Sequence, residues 1–182
     1  MTEDIPEGFE RHTRRSPLTD PLEPLYSKRT DKAVIIGLRL AKPHTNGRGL
    51  IHGGLLAALA DNAMGHSCAH AMGGVSSLVT ISLAIDFVGA AEVGQWLAVE
   101  SDVVKTGRTI CFAQSLIKAD GAVIARANAT FRVVPQYTEL EREASSLTRE
   151  IALLNDQNTL DRDLLLQLQE ASDLMKSADS SS

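Results

Sequence analysis

Residues 52–72 read HGGLLAALADNAMGHSCAHAM, and the fold follows from how this run is taken. Alanine, leucine and methionine dominate it, proline is absent, and Gly73-Gly74 follow as residues suited to a left-handed helix end. The spacing therefore predicts a helix over 53–72. It is apolar nearly all round, a property of membrane spans and of helices wrapped by their own protein. Asp61, Asn62, His66 and His70 along it disfavour a bilayer, where such groups are costly. A long helix enclosed by the rest of its own chain is the expectation.

On either side the period changes from helical to two. Residues 33–41, AVIIGLRLA, are rich in β-formers and lead into the loop KPHTNGRG. Beyond the helix come four alternating segments, 77–88, 95–105, 108–119 and 122–134, joined by GAAEVG, TG and DG. The last is the clearest: Arg126, Asn128, Thr130 and Arg132 fall on one face, and Ala125, Ala127, Ala129 and Phe131 on the other. An alanine face lets a helix approach closely. A 20-residue helix is about 30 Å long and an 11-residue strand about 36 Å, so the helix can lie along the whole sheet. One strand, a long buried helix and an antiparallel meander make an α+β domain over residues 32–135, with the sheet curved round the helix.

The flanks differ from this core. Residues 1–31 hold four of the six prolines with scattered charge and no sustained period, and read as an extended N-terminal arm. Residues 136–176 carry Tyr137, Leu140, Ala144, Leu147, Ile151 and Leu154 at spacings of three and four, and a second stripe from Leu160 to Met175 beyond the polar NDQNT. This is an amphipathic helical extension, read as packing on its own domain or a sister subunit, with a disordered tail at 177–182. Ten acids and four bases lie in 136–182, against thirteen acids and fourteen bases in 1–135, so the formal charge of -5 belongs to the extension. With aromatics at 4% and no basic stripe, nucleic acid is excluded as a partner. Cys68 and Cys111, both in apolar surroundings, read as buried hydrophobes in a reducing compartment. Arg14-Arg15 is followed by Ser-Pro where an export signal needs an apolar run, so the expected location is cytoplasmic, with no membrane association.

Chemistry concentrates around the start of the helix. Gly53 opens it with a backbone N–H that has no partner inside the helix, where the helix dipole favours developing negative charge. Asp61, eight residues on, adds a carboxylate able to act as base or nucleophile. An amide for an oxyanion and a carboxylate for a carbonyl carbon together suit acyl-group hydrolysis.

The segments GFERHTRRSPL and PLY in the arm, NGRGLIHGGLLAALADNAMG, LVTISLAIDF, KTGRT and RANATFRVV resemble the PaaI-type acyl-CoA thioesterases of the hot-dog fold, from about Gly8 to Pro135. The resemblance implies Asp61 as nucleophile or general base, Gly53 as oxyanion donor and Asn46 as a polar group orienting the carbonyl or attacking water. It implies that His52 holds the helix start, and that Thr80 orients water from the second strand of a partner subunit. It further implies a homodimer or homotetramer with shared sites, an acyl-CoA substrate, and no cofactor beyond the coenzyme A of that substrate. A thiolate leaving group with a pKa near 8.5 needs little acid assistance, which fits a site with one carboxylate. The acidic extension departs from the family pattern.

Other readings stand beside these. Asn46 in its loop is a natural turn residue, and Gly53 and Gly54 also serve a tight turn, one that aims both amides at bound substrate. Lys105, Arg108 and Arg126 are read as contacts for the phosphates of coenzyme A or as solvated strand ends. His66 and His70 have metal-ligand spacing, yet the glutamate of the HExxH pattern is missing and no third ligand is evident, so no metal is expected. A non-catalytic acyl-CoA sensor on the same fold is the main alternative, and a hydratase of the same fold a lesser one.

Overall fold

The computed structural model describes residues 5–74 and 77–134, and beyond them Leu153, Asp156, Arg162, Leu166, Gln167 and Glu170. The chain divides into two compact units, 1–136 and 137–182. In the second unit the described positions are helical. The amphipathic stripes and tail expected there lie outside the described residues.

The first unit is built on one helix, α1 (Gly53–Ala71), and seven strands: β1 (Glu10–Arg11), β2 (Tyr26–Arg29), β3 (Val34–Arg39), β4 (Ser77–Phe87), β5 (Trp96–Thr106), β6 (Ile110–Ala119) and β7 (Ala122–Val134). They form one antiparallel sheet in the order β1-β2-β3-β5-β6-β7-β4. The stretch read as an arm thus supplies two strands: β2 pairs with β3, and Leu25 and Tyr26 are buried. The arm is held on the outer face by Phe9 and Tyr26, whose rings lie 5.1 and 5.7 Å from that of Trp96. Trp96 in turn sits over Gly37, where a Cβ would come within 2.5 Å of its ring.

The meander needs correction. β5, β6 and β7 are neighbours in order, but β4 pairs with β7 at the sheet's end and does not pair with β5. The connection from β4 to β5 crosses the end of the sheet and is stitched there by backbone hydrogen bonds: Val88 and Gly89 N–H donate to Ile124 O, Ile51 N–H to Ala91 O, and Gly94 N–H to Leu40 O. A short loop between alternating segments looks like a hairpin in sequence, while these bonds are long-range.

α1 presses Leu55, Leu56, Leu59, Ala60, Ala63 and Met64 against the concave face of the sheet. Ala113, Ala125, Ala127 and Ala129 receive them, so the alanine faces of β6 and β7 do allow the close approach. Deeper along the helix the buried Ser67 hydroxyl donates to Val34 O (3.2 Å) and accepts from Val34 N–H (3.0 Å), tying α1 to the start of β3. Complete enclosure is not what the chain achieves alone: Ala57, Ala58, Asp61, Asn62, Gly65 and His66 are only half-buried. Ala57, Ala58 and Gly65 bring little apolar area, Asp61, Asn62 and His66 are polar, and the sheet has one concave face to offer.

β4 carries a bulge between Thr80 and Ser82. Partners across a sheet share a face, so Thr80 opposite the buried Phe131, and Leu83 opposite Ala129, both face the helix despite their odd separation. Ile81 is displaced outward and 57% exposed.

Phe131, 2% exposed, packs its ring 3.5 Å from the position a Cβ on Gly65 would take. Phe131→Ala is expected to cost about 3–5 kcal/mol by leaving a cavity at this seam, read as a lower urea midpoint at unchanged m-value.

Candidate active site

The loop before α1 is organised by its own side chains. His44 is buried, its Nδ1 accepts from Ala41 N–H (3.0 Å), and burial pushes its pKa down. Asn46 Oδ1 accepts from Arg48 N–H (2.8 Å) and Leu50 N–H (3.3 Å), an Asx-type turn that leaves the side-chain amide free to donate. His52 N–H donates to His44 O, and its Nδ1 accepts from Gly54 N–H at 2.8 Å, so His52 is the N-cap of α1. That hydrogen bond uses the Gly54 amide. The Gly53 N–H is left without an acceptor among the described residues, at the positive end of a 19-residue helix. Phe87 covers the Gly53 Cα, where a Cβ would lie 3.0 Å from its ring.

Two turns along the helix, Asp61 Oδ1 accepts a hydrogen bond from Thr80 Oγ1 at 2.8 Å. Both residues belong to one chain, so Thr80 meets Asp61 of its own helix. The β4 bulge is what points the hydroxyl inward. A carboxylate held by a hydroxyl at one oxygen keeps the other free for a reacting group. Asp61 is half-buried on the open face of α1, not sealed inside it. Eight residues at 1.5 Å each separate it from Gly53 by about 12 Å along the axis, too far for both to touch one carbonyl group. Within a single chain the amide and the carboxylate do not converge on one point.

Asp61 and Thr80 line a cavity of about 240 Å³. Its apolar wall includes Leu25, Ile36, Leu78 and Phe131, and helix residues Asn62, Gly65 and His66 form its floor. The remaining wall is the arm, which contributes His12, Arg14 and Ser16 among others. These arm residues, Asn62 and the role of His66 escaped the sequence reading. The HTRRS motif marked the stretch, but only pairing of β2 with β3 brings it over the helix. His66 stacks near His12, ring centroids 5.2 Å apart, and is pushed down to about 4 chiefly by burial, then by the charges of His12, Arg14 and Arg29. His12 is also lowered, mainly by burial. His70 instead places Nε2 3.1 Å from Thr30 O, so the two helix histidines serve different neighbours.

The three cations read as phosphate contacts do not gather. Arg126 is on the outer face, bound to Asp86 at 2.9 Å. Lys105 lines a cleft with Asp31 and Lys32, and Arg108 another with Ile81 and Arg132. Cys68 and Cys111 are both buried, and burial pushes the Cys68 thiol up to about 12. Among the described residues no helix is long and apolar enough to cross a membrane.

Comparison with known proteins adds an independent line. A family model described as Thioesterase superfamily matches residues 48–131, which span Gly53, Asp61 and Thr80. A Pseudomonas aeruginosa protein named as a candidate esterase is 35% identical over 130 residues, covering 71% of this chain and 97% of the relative. Human acyl-coenzyme A thioesterase 13 is 30% identical over 99 residues, 53% of this chain and 70% of the relative. Among solved structures, a variant of the phenylacetic acid degradation protein PaaI of Thermus thermophilus superposes with a TM-score of 0.59 at 20% identity, covering 65% of this chain and all of that one. That last likeness is one of fold.

The histidine pair makes a pH-dependent contribution that can be measured. Between pH 6.5 and about 4 the unfolded chain takes up a proton at His66 that the folded chain refuses, so stability falls as pH drops through that window and is untouched above it. The thermal midpoint is expected to fall less between pH 7 and 4.5 in His66→Gln than in the unsubstituted protein. Parallel curves would show that His66 titrates normally.

Proposed function

The chain belongs to the thioesterase superfamily, as a hot-dog fold thioester hydrolase of PaaI type, and from that premise we propose that it hydrolyses acyl-CoA thioesters to the free acid and coenzyme A. The observation that carries the reading is the Asp61 carboxylate, anchored by Thr80 at the wall of a cavity large enough for a short acyl group. The human relative's name supports coenzyme A as the thiol.

In this reading Asp61 acts on the thioester carbonyl carbon, either by taking a proton from water as hydroxide adds, or by adding directly to give an acyl-aspartyl anhydride that water then opens. Negative charge collects on the carbonyl oxygen and is met by the Gly53 N–H, with the Asn46 side-chain amide beside it. The carbon–sulfur bond then breaks and coenzyme A leaves as a thiolate, stable enough to need no acid. His52 acts by fixing the helix start, and Thr80 by fixing the carboxylate. No metal or other cofactor takes part in these steps.

Because about 12 Å separates the half-sites of one chain, the amide is supplied by a second copy. The reading is therefore a homodimer at minimum, with a homotetramer built from it, and with two shared sites per pair. The unpaired edge of β4 supports it: β4 ends the sheet, and Val79 and Ile81 on it are 55% and 57% exposed. A cytoplasmic location goes with the two buried free cysteines.

Asp61→Asn is expected to lower thiol release from acyl-CoA by about 10² or more, and Thr80→Ala by roughly tenfold, the worth of one hydrogen bond to a charged group. Unchanged turnover in Asp61→Asn would overturn the assignment. Specific activity per chain should also fall on dilution in step with the dimer fraction seen by sedimentation, and a fully active monomer would refute the shared site.

A further inference from the structure

The cavity at Asp61 has a second end, and its chemistry is different. His66 lies five residues beyond Asp61, about 7.5 Å further along α1. An extended chain covers that in about two peptide lengths, or six bonds, so a short acyl group with its carbonyl at Asp61 ends beside the His12–His66 pair. The wall between is apolar, from Leu25, Ile36, Leu78 and Phe131. A purely hydrocarbon acyl chain would leave its tip against two imidazoles and a guanidinium.

The charges around that tip are mostly positive, with Glu23 the one acid whose charge acts on His12. Arg15 is taken by Asp20 at 3.0 Å and Arg11 by Glu23 at 3.4 Å. Arg14 and Arg29 have no acid partner among the described residues, and both act on His12 and on His66. Arg14 lines both the cavity and an adjoining cleft of about 510 Å³ that also takes in His12, His66 and Arg29, with Glu10 its one acid. Burial lowers both imidazoles, and the one N–H of neutral His12 goes to the Arg14 backbone carbonyl, so His66 is the imidazole that offers an N–H without adding a charge. A guanidinium with its fork open, the His66 N–H beside a His12 ring held by the arm's own backbone, and a second arginine behind them match a carboxylate.

We propose that this end of the cavity is an anion seat, and that the site takes short acyl groups ending in a carboxylate, which Arg14 draws against the His12–His66 pair. The inference rests on the acyl-thioester reading of the Asp61 end, and it makes the arm the element that sets acyl specificity. The phosphates of coenzyme A carry the same chemistry and are the other source of an anion for this seat.

The test compares glutaryl-CoA with pentanoyl-CoA, acyl groups of equal length, in the unsubstituted protein, in Arg14→Gln and in Arg14→Lys. The expected kcat/KM ratio favours glutaryl by about tenfold or more, falls about tenfold in Arg14→Gln mainly through KM, and is partly kept in Arg14→Lys. The same ratios should hold for glutaryl and pentanoyl thioesters of N-acetylcysteamine, which have no phosphate. A ratio at or below one, a ratio insensitive to Arg14→Gln, or a preference lost with the phosphate-free thioesters overturns the proposal. Calorimetric titration of both CoA esters into Asp61→Asn and into Arg14→Gln, Asp61→Asn reads the same preference without turnover. Absence of thiol release from every ester therefore sinks the hydrolase reading alone, while equal affinities in the titration sink this one.

Discussion

The close approach of α1 to its sheet is the constraint on which the other features rest. Alanines on β6 and β7 leave room for the helix to lie against the strands, and the bulky contacts come from the helix side, through Leu55, Leu56, Leu59 and Met64. Each buried residue of this kind contributes on the order of 1.5–3 kcal/mol of apolar burial, so the rotation of the helix about its axis is firmly set. Once it is set, Asp61, Asn62, Gly65 and His66 face the other way, toward the open seam between β4 and the arm. The placement of the carboxylate is a by-product of packing eight residues of the opposite face.

Thr80 depends on the same frame. The β4 bulge changes which residues face inward partway along the strand, so that Leu78 and Thr80 on one side of it and Leu83 and Ile85 on the other all point toward the helix. Were Ile81 in regular register instead of bulged, inward Leu83 and Ile85 would put Thr80 on the outer face. The hydroxyl that holds Asp61 at 2.8 Å is thus bought by a local irregularity in an otherwise regular ladder.

The arm closes the seam because it is part of the sheet. Phe9 and Tyr26 grip Trp96 over the bare Gly37, β2 extends the ladder from β3, and the residues between them are drawn across the helix to face Asp61's cavity. One end of that cavity is a carboxylate and the other is ringed by imidazoles and arginines. In the proposed reading, a cavity polarised in this way would orient an acyl group before any bond changes, since its two ends favour opposite charges.

Much of this was legible in the sequence. The helix begins at Gly53 and ends within one residue of the predicted limit, and the four later strands fall within two residues of theirs, because period and turn chemistry act over neighbouring residues. The placing of Gly53 at the start of that helix and of Asp61 two turns along it was equally local. Tertiary structure alone decided the rest: that β4 lies beside β7, that a bulge turns Thr80 inward, that the proline-rich arm is two strands and a cavity wall, and that Lys105, Arg108 and Arg126 disperse to three places. Each of these depends on contacts between residues far apart in the chain, which spacing along the chain does not encode. A pattern of neighbours sets which face a residue belongs to, whereas what that face meets is settled only when the whole sheet closes on the helix.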